Sequence, residues 1–325
     1  MFRILLDAYR RTPNLIRSFT GTDDADGTDD ADELSGAHWS LGETLSLLRT
    51  LFLPTLPIRA PPFVPPILRQ IIFGGNSQIL LANRAPTNAT DRAEAWVYVN
   101  GIMSNRAVVE LNRRRIEFLF DRPVDVVHNN TDSLVMDLLE CWVGKETHYL
   151  TEPAFLLLQY LLPRLLDDTV SRIVVLAHSQ GTIIAAQALH ALRRCGVGGS
   201  TAGARYACKL EVYAFANCAS SMRFLVCDAA ADHENFGGGG TPRQNGRGRH
   251  PYIESLANEN DIVARLGCTA SASIREQQHI RIDGDVLVAP GREGHMFNTH
   301  YMTTRFTRAF PTSRLCRDFE STGPC

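Results

Sequence analysis

The segment from Arg172 to Ala185 constrains the fold of this chain more than any other. Its sequence is Arg-Ile-Val-Val-Leu-Ala-His-Ser-Gln-Gly-Thr-Ile-Ile-Ala. Residues 173–176 are apolar at every position, which is typical of a parallel strand covered on both faces. After a five-residue turn around Ser179, apolar side chains recur at helical spacing, at Ile184, Ala188, Ala191 and Leu192. A strand, a tight turn and a helix in this order predict a serine whose hydroxyl group is presented as a nucleophile.

The turn departs from the usual Gly-x-Ser-x-Gly pattern at one position. Ala177 stands where the first glycine is expected, and Gly181 supplies the second. The pattern needs small residues on both sides of the serine so that the backbone can turn tightly. Alanine meets that steric requirement, so we keep Ser179 as the predicted nucleophile.

Bulk composition excludes several classes of protein. The apolar fraction of 44% and the charged fraction of 21% are those of an ordinary globular protein, and a net charge of -2 gives no reason to expect nucleic acid as a partner. The eight cysteines contain no Cys-x-x-Cys pair, so we predict no zinc or other metal site among them. Neither a secretory signal nor an apolar run long enough for a spanning helix is apparent, which favours a cytoplasmic protein.

The first 90 residues differ in composition from the rest. Residues 21–33 form an acidic repeat that can bury nothing, which predicts a flexible loop. Residues 41–72 are apolar and rich in proline, so they cannot form one continuous helix. They fit either an arm packed over the core, or a lid or interfacial segment that meets lipid or a long acyl substrate. We therefore divide the chain into an N-terminal extension, 1–90, and a catalytic domain, 91–325.

Strand and helix patterns alternate through the second part. Short apolar strands are predicted at 96–99, 124–127, 209–216, 252–256 and 284–288. Between and after them, helical periodicity appears at 105–119, 132–142, 155–166 and 296–306. This alternation predicts an α/β fold with a mostly parallel sheet covered by helices on both faces.

Two backbone N–H groups are candidates for holding an oxyanion. Asn100 and Gly101 follow a predicted strand directly, and the N–H of Ile102 is placed to be one donor. The N–H of Gln180, immediately after the predicted nucleophile, would be the other. An ordinary Asn-Gly turn explains residues 100 and 101 equally well when they are taken alone.

The acid partner of a catalytic histidine should follow a later strand. Asp261 lies just past the strand at 252–256 and 82 residues beyond the serine (261 − 179 = 82). This position fits the chain order serine, acid, histidine. Glu259 is the main rival, and Glu254 lies inside the strand and would point into the sheet or a helix.

Two histidines near the end of the chain compete for the role of base. His295 follows Gly294 in a loop beyond the last predicted strand, whereas His300 falls within the predicted helix at 296–306. Loop placement favours His295. His178 is adjacent to Ser179 and cannot easily fold back on it, so we predict a structural role or a place in the pocket wall.

With these residues in place, the chain resembles the lipase-like branch of the α/β-hydrolase superfamily over residues 95–306. The closer match is to a group of fungal serine hydrolases, through Asn-x-Thr-x-Ser near 129–133, Asp137-Leu-Leu-Glu-Cys141 and His295-x-x-x-x-His-Tyr-Met302. The resemblance implies an eight-stranded, mostly parallel sheet, a serine–histidine–acid triad and no cofactor.

Several functions are compatible with such a triad. The first is hydrolysis of carboxylic esters, either small molecules or lipids, with contact to a membrane surface through residues 41–72. The second is a thioesterase, transacylase or cyclase that uses the same acyl-enzyme with a different acceptor. The third is a binding scaffold that keeps the fold without catalysis.

Overall fold

The computed structural model describes residues 77–85, 88–102, 104–129, 150–197, 201–224 and 250–320. The predicted acidic loop, the proline-rich segment 41–72 and the predicted helix at 132–142 lie outside these residues. Within the described part of the chain, no helix is both long and apolar enough to cross a membrane.

The described residues contain nine strands and eight α-helices. The strands are β1 Gln78–Leu80, β2 Glu94–Val99, β3 Val124–His128, β4 Arg172–His178, β5 Leu210–Phe215, β6 Ser221–Met222, β7 Tyr252–Asn258, β8 Arg281–Ile282 and β9 Asp285–Ala289. The helices are α1 Ala89–Ala93, α2 Arg106–Phe120, α3 Glu152–Leu166, α4 Gln180–Arg194, α5 Thr201–Ala207, α6 Ala272–Gln277, α7 Phe306–Ala309 and α8 Cys316–Glu320.

Seven of these strands form one sheet in the order β1-β3-β2-β4-β5-β7-β9. Only β1 is antiparallel to its neighbour, so the predicted mostly parallel sheet is confirmed. β1 lies inside the segment predicted as an N-terminal extension, yet it pairs with β3. β6 and β8 form a separate parallel pair. Loops that leave the carboxyl ends of neighbouring parallel strands lie together, and in open sheets of this kind ligands bind there.

Both faces of the sheet are buried, which explains the uninterrupted apolar run of β4. Ile173, Val175 and Ala177 belong to a core that also contains side chains of α3 and α4. Val174 and Leu176 belong to a second core on the other face, with α2 and the aromatic residues that follow β9. Because side chains alternate along a strand, burial on both faces requires every position of the run 173–177 within β4 to be apolar.

The end of the sheet opposite the loops is tied to the C-terminal helix α8. The guanidinium group of Arg172, at the start of β4, contacts Glu211 Oε2 and Asp318 Oδ2, each at 2.7 Å. Glu94 lies 3.4 Å away on β2. This partly buried group of charges holds α8 and the strands β2, β4 and β5 together at the end of the sheet where those strands begin.

The segment 296–306 differs from the prediction of one continuous helix. A five-residue π turn spans Phe297–Tyr301, closed by the N–H of Met302, which donates to the carbonyl of Phe297 at 2.7 Å. An α-helix starts again only at Phe306. The apolar periodicity was genuine, but Phe297, Tyr301 and Phe306 pack against the sheet through this wider turn. Single π turns of this kind are frequent at functional sites.

Candidate active site

The turn between β4 and α4 holds Ser179 in an unusual backbone conformation. Its φ is 55° and its ψ is -125°, outside the regions that residues with a side chain normally occupy. Ser179 N donates to the carbonyl of Phe215 on β5 at 3.0 Å. The Ser179 carbonyl accepts from both N and Oγ1 of Thr182, at 2.9 and 2.7 Å. Such a conformation costs about 1–3 kcal/mol and persists only where surrounding bonds impose it.

The space around this turn explains why its neighbours are small. A Cβ atom on Gly181 would lie 2.3 Å from the carbonyl oxygen of Val99, at the end of β2. A Cβ atom on Gly101 would lie 2.7 Å from Ser179 Cβ. Ala177 is fully buried and pairs with Val99 and Ala214 in the sheet, where its methyl group is accommodated. The close approach of β2 to the turn around Ser179, called the elbow below, therefore requires glycine at 101 and 181, but not at 177.

Three of the predicted residues meet at this point. His295 Nε2 lies 3.0 Å from Ser179 Oγ, and His295 Nδ1 lies 3.0 and 3.1 Å from the two carboxylate oxygens of Asp261. All three side chains are buried. Because Nδ1 faces a carboxylate, it carries the proton, and Nε2 is left to accept one from the serine hydroxyl. The arrangement is a serine, a base and an acid in one hydrogen-bonded chain.

The rival residues are engaged elsewhere. Glu259 is exposed and accepts from Gly291 N at 2.6 Å. Glu254 is buried in the sheet and accepts from Tyr252 OH at 2.5 Å and from Arg314 N at 3.0 Å. His300 lies in the π turn, where its Nδ1 accepts from Met296 N at 3.0 Å.

Asp261 is held as a carboxylate by groups that surround it. Burial opposes its ionisation, but the nearby His295 and two hydrogen-bond donors outweigh that effect, so the pKa of Asp261 is lowered. Those donors are Tyr301 OH at 2.7 Å and Val263 N at 2.9 Å. Sequence reasoning assigned no role to Tyr301, because its contact with Asp261 depends on the π turn.

The loop that carries His295 is fixed on both sides. Gly294 has φ +99°, and a Cβ atom there would lie 2.1 Å from the ring of His300, so glycine is required. Asn258 Nδ2 donates to the Gly294 carbonyl at 3.0 Å. His178 Nε2 donates to the His295 carbonyl at 2.8 Å. His178 therefore contacts the backbone of the base and not the nucleophile, consistent with the structural role expected of it.

His178 is uncharged in this position. Burial and, after it, the nearby His295 lower the pKa of His178 to about 3. The neutral ring donates through Nε2, and its face lies 4.8 Å from the ring of His295, centroid to centroid. A neutral histidine here avoids placing a second positive charge beside the base.

The two predicted oxyanion donors belong to residues close to the serine. Gly101 packs against Ser179, with the position of its absent Cβ only 3.3 Å from Oγ, and Ile102 is the next residue. Gln180 opens helix α4, and N–H groups in the first turn of a helix are not used by the helix itself. Within the described residues, no group of three or more His, Cys, Asp or Glu side chains is arranged to hold a metal ion.

No model of a known protein family matches the chain, and no curated protein matches it. Among solved structures it is similar to an esterase from Pyrobaculum calidifontis, at 12% identity over 76% of this chain and 84% of that one, with a TM-score of 0.38. It is also similar to carboxyl esterase 2 from the fungus Tuber melanosporum, at 11% identity over 85% and 92% of the two chains, with a TM-score of 0.38.

The fold itself follows from the strand order and the elbow. The sheet is parallel apart from its first edge strand, helices cover both faces, and a serine stands on the sharp turn between a central strand and the next helix. The acid and the histidine follow on loops after β7 and β9, in the chain order typical of this architecture. The chain has the α/β-hydrolase fold.

Proposed function

We propose that this protein is a serine hydrolase that cleaves carboxylic esters through an acyl-enzyme intermediate. The observation that carries the proposal is the hydrogen-bonded chain from Asp261 through His295 to Ser179, with the serine on a strained elbow. Strain of this kind clusters at functional sites. A buried acid, a base in the correct tautomer and a serine hydroxyl group within hydrogen-bond distance of that base are the parts that acyl transfer requires.

In the first half of the reaction, His295 Nε2 takes the proton of Ser179 as Oγ attacks the ester carbonyl. Asp261 keeps the imidazole oriented and stabilises its charged form. The N–H groups of Ile102 and Gln180 then donate to the tetrahedral oxyanion, and each such donor typically lowers the barrier by about 3 kcal/mol. His295 returns the proton to the alcohol oxygen, the alcohol leaves, and the acyl group remains on Ser179.

In the second half, water replaces the alcohol. His295 removes a proton from the water as its oxygen attacks the acyl carbonyl, and the same two N–H groups stabilise the second oxyanion. Collapse of this intermediate releases the carboxylic acid and restores the serine. The substrate class is a small-molecule or lipid ester. Contact with a membrane surface through residues 41–72 remains part of the proposal and lies outside the described residues.

Covalent labelling with a fluorophosphonate, followed by peptide mass mapping, tests the nucleophile. We expect one label, on Ser179, and loss of both the label and p-nitrophenyl butyrate hydrolysis in Ser179→Ala. Ser255→Ala is the matched control, because Ser255 is also a buried serine at the sheet but hydrogen-bonds to Asn217. Hydrolysis by Ser179→Ala at the rate of the control would refute the proposal.

The base is tested in the same assay. His295→Gln should lose labelling, because no group would remain to take the serine proton. His300→Gln should keep it, because the His300 ring serves the backbone of Met296. Labelling that survives in His295→Gln and disappears in His300→Gln would reverse the assignment. Product analysis with added ethanol separates hydrolysis from acyl transfer.

A further inference from the structure

Asn100, at the end of β2, is a buried amide whose hydrogen bonds all go to the backbone. Its side chain is fully buried. Nδ2 donates to the carbonyls of Gly101 and Asn129, each at 2.9 Å, and Oδ1 accepts from Asn129 N at 2.8 Å. Both N–H donors of the amide and one acceptor position are therefore used. An amide that makes three such bonds is held in one orientation and holds its partners in turn.

One of these bonds fixes the direction of a peptide group beside the nucleophile. The carbonyl of Gly101 and the N–H of Ile102 belong to the same peptide unit, which is planar and trans. In such a unit the C=O and the N–H point in opposite directions. When Asn100 holds the Gly101 oxygen, it therefore directs the Ile102 N–H to the other side of the peptide.

Without that bond, the Gly101–Ile102 peptide group would rotate more easily. Gly101 has no side chain, so the backbone on one side of the peptide turns more freely than at any other residue type. A rotation that exchanged the carbonyl for the N–H would present an oxygen, and not a donor, to a developing negative charge. The bond from Asn100 opposes that rotation.

The hydrogen bonds of Asn100 continue through Asn129 to Gln180, the residue of the second predicted donor. Asn129, at the end of β3, is tied to Asn100 through both its N–H and its carbonyl. Its side-chain Nδ2 donates to Gln180 Oε1 at 2.7 Å. The side-chain amides of Asn100 and Asn129 thus join the ends of β2 and β3 to Gln180, the first residue of α4. Gln180 carries one predicted oxyanion donor, and the peptide held by Asn100 carries the other.

We propose that Asn100 is a positioning residue of the oxyanion hole, which holds the Gly101–Ile102 peptide with its N–H toward the reacting carbonyl. The inference rests on the proposed function, since it assumes that an oxyanion forms at Ser179. Asn100 itself does not contact the substrate. It acts through the peptide that does.

The test is Asn100→Asp, which keeps the shape of the side chain but replaces the N–H donor by an oxygen facing the Gly101 carbonyl. With p-nitrophenyl butyrate we expect kcat to fall about 10²- to 10³-fold, the effect of losing one oxyanion donor, with KM changed less than about threefold.

A transition-state analogue separates positioning from a merely structural role. A trifluoromethyl ketone forms a tetrahedral oxyanion with the serine, so its Ki should rise by the same factor as kcat/KM falls. Asn112→Asp is the matched control. Asn112 is an equally buried amide on α2 that donates to Tyr98 OH at 3.0 Å, and the same substitution there should leave kcat and Ki within about twofold of wild type.

Three results would overturn the inference while leaving the proposed function intact: a kcat for Asn100→Asp within about twofold of wild type, an equal loss in Asn112→Asp, or a Ki that does not follow kcat/KM. If the wild type is neither labelled on Ser179 nor active on esters, both proposals fail together. Should Asn100→Asp not fold, Asn100→Ser is measured instead. Its hydroxyl group is too short to bridge Gly101 and Asn129, and kcat should still fall at least about tenfold.

Discussion

His178 should make this fold sensitive to acid at a pH where most carboxylates are still ionised. The ring is buried next to the nucleophile and is kept neutral, with its pKa lowered to about 3 by burial and by His295. Asp261 and His300 also face it, and the ring of Tyr301 lies 6.1 Å away, centroid to centroid. Acid must therefore protonate His178 mainly in the unfolded chain, where an ordinary histidine has a pKa of about 6.5.

The sign and size of the effect follow from linkage. Since the pKa of His178 is lower in the folded state, its stabilising effect is complete above about pH 6.5 and is lost as the pH falls toward 3. Protonation of the unfolded chain favours unfolding by RT ln(1 + 10^(6.5 − pH)), which is about 0.4 kcal/mol at pH 6.5 and about 2.7 kcal/mol at pH 4.5. The difference, about 2.3 kcal/mol, changes little if the pKa of the folded state is displaced by a unit.

The variant that isolates the pH-dependent contribution of His178 to stability is His178→Gln. Its amide nitrogen lies near the position of Nε2 and can still donate to the His295 carbonyl. Between about pH 6.5 and 4.5, wild type should lose about 2.3 kcal/mol more unfolding free energy than the variant, as measured by urea denaturation. Asn112→Leu is the control, because it removes a buried hydrogen bond but no titratable group and should stay parallel to wild type. Parallel curves for wild type and His178→Gln would refute the neutral, buried histidine.

Two further substitutions test contacts at the site. Gly101→Ala should lower kcat about 10²-fold or more, because its Cβ atom would lie 2.7 Å from Ser179 Cβ and must displace the peptide that carries the Ile102 donor. A circular dichroism melting curve checks that the variant still folds. Tyr301→Phe should lower kcat/KM about tenfold, because it removes the hydroxyl group that donates to Asp261 at 2.7 Å. It should also lower the unfolding free energy by about 2 kcal/mol, because the buried N–H of Asn258 loses its acceptor. A wild-type kcat/KM would show that Asp261 does not need this bond.

The fold could be predicted from the sequence because its main evidence is local. The run at 173–176 is apolar at every position, which is typical of a strand buried on both faces, and the structure has that strand between two cores. The glycines at 101 and 181 can be recognised in the sequence as parts of two turns, although the contact that requires them joins the end of β2 to the turn around Ser179. The structure brings Ser179, Asp261 and His295 together, while their catalytic roles remain predictions.

The supporting residues could not be found in the same way, because their contacts join distant parts of the chain. Asn100 and Asn129 are 29 residues apart, Asp261 and Tyr301 are 40 apart, and His178 is 117 residues from the carbonyl it binds. Asparagine at the end of a strand is equally compatible with an ordinary turn. Helical periodicity in 296–306 also gave no sign that Tyr301 would sit in a π turn facing Asp261.

The backbone of Ser179 bears on the choice between a nucleophile and a chance turn. A turn that needed φ 55° and ψ -125° for geometry alone would be served best by glycine, which adopts that conformation without strain. Serine costs about 1–3 kcal/mol there, and the bonds from Ser179 N to Phe215 and from Thr182 to the Ser179 carbonyl hold the backbone regardless of the side chain. The hydroxyl group adds nothing to those bonds. Its partner is His295 Nε2 at 3.0 Å. The hydrogen bond between Oγ and the imidazole therefore gives a reason for serine, and not glycine, at this strained position.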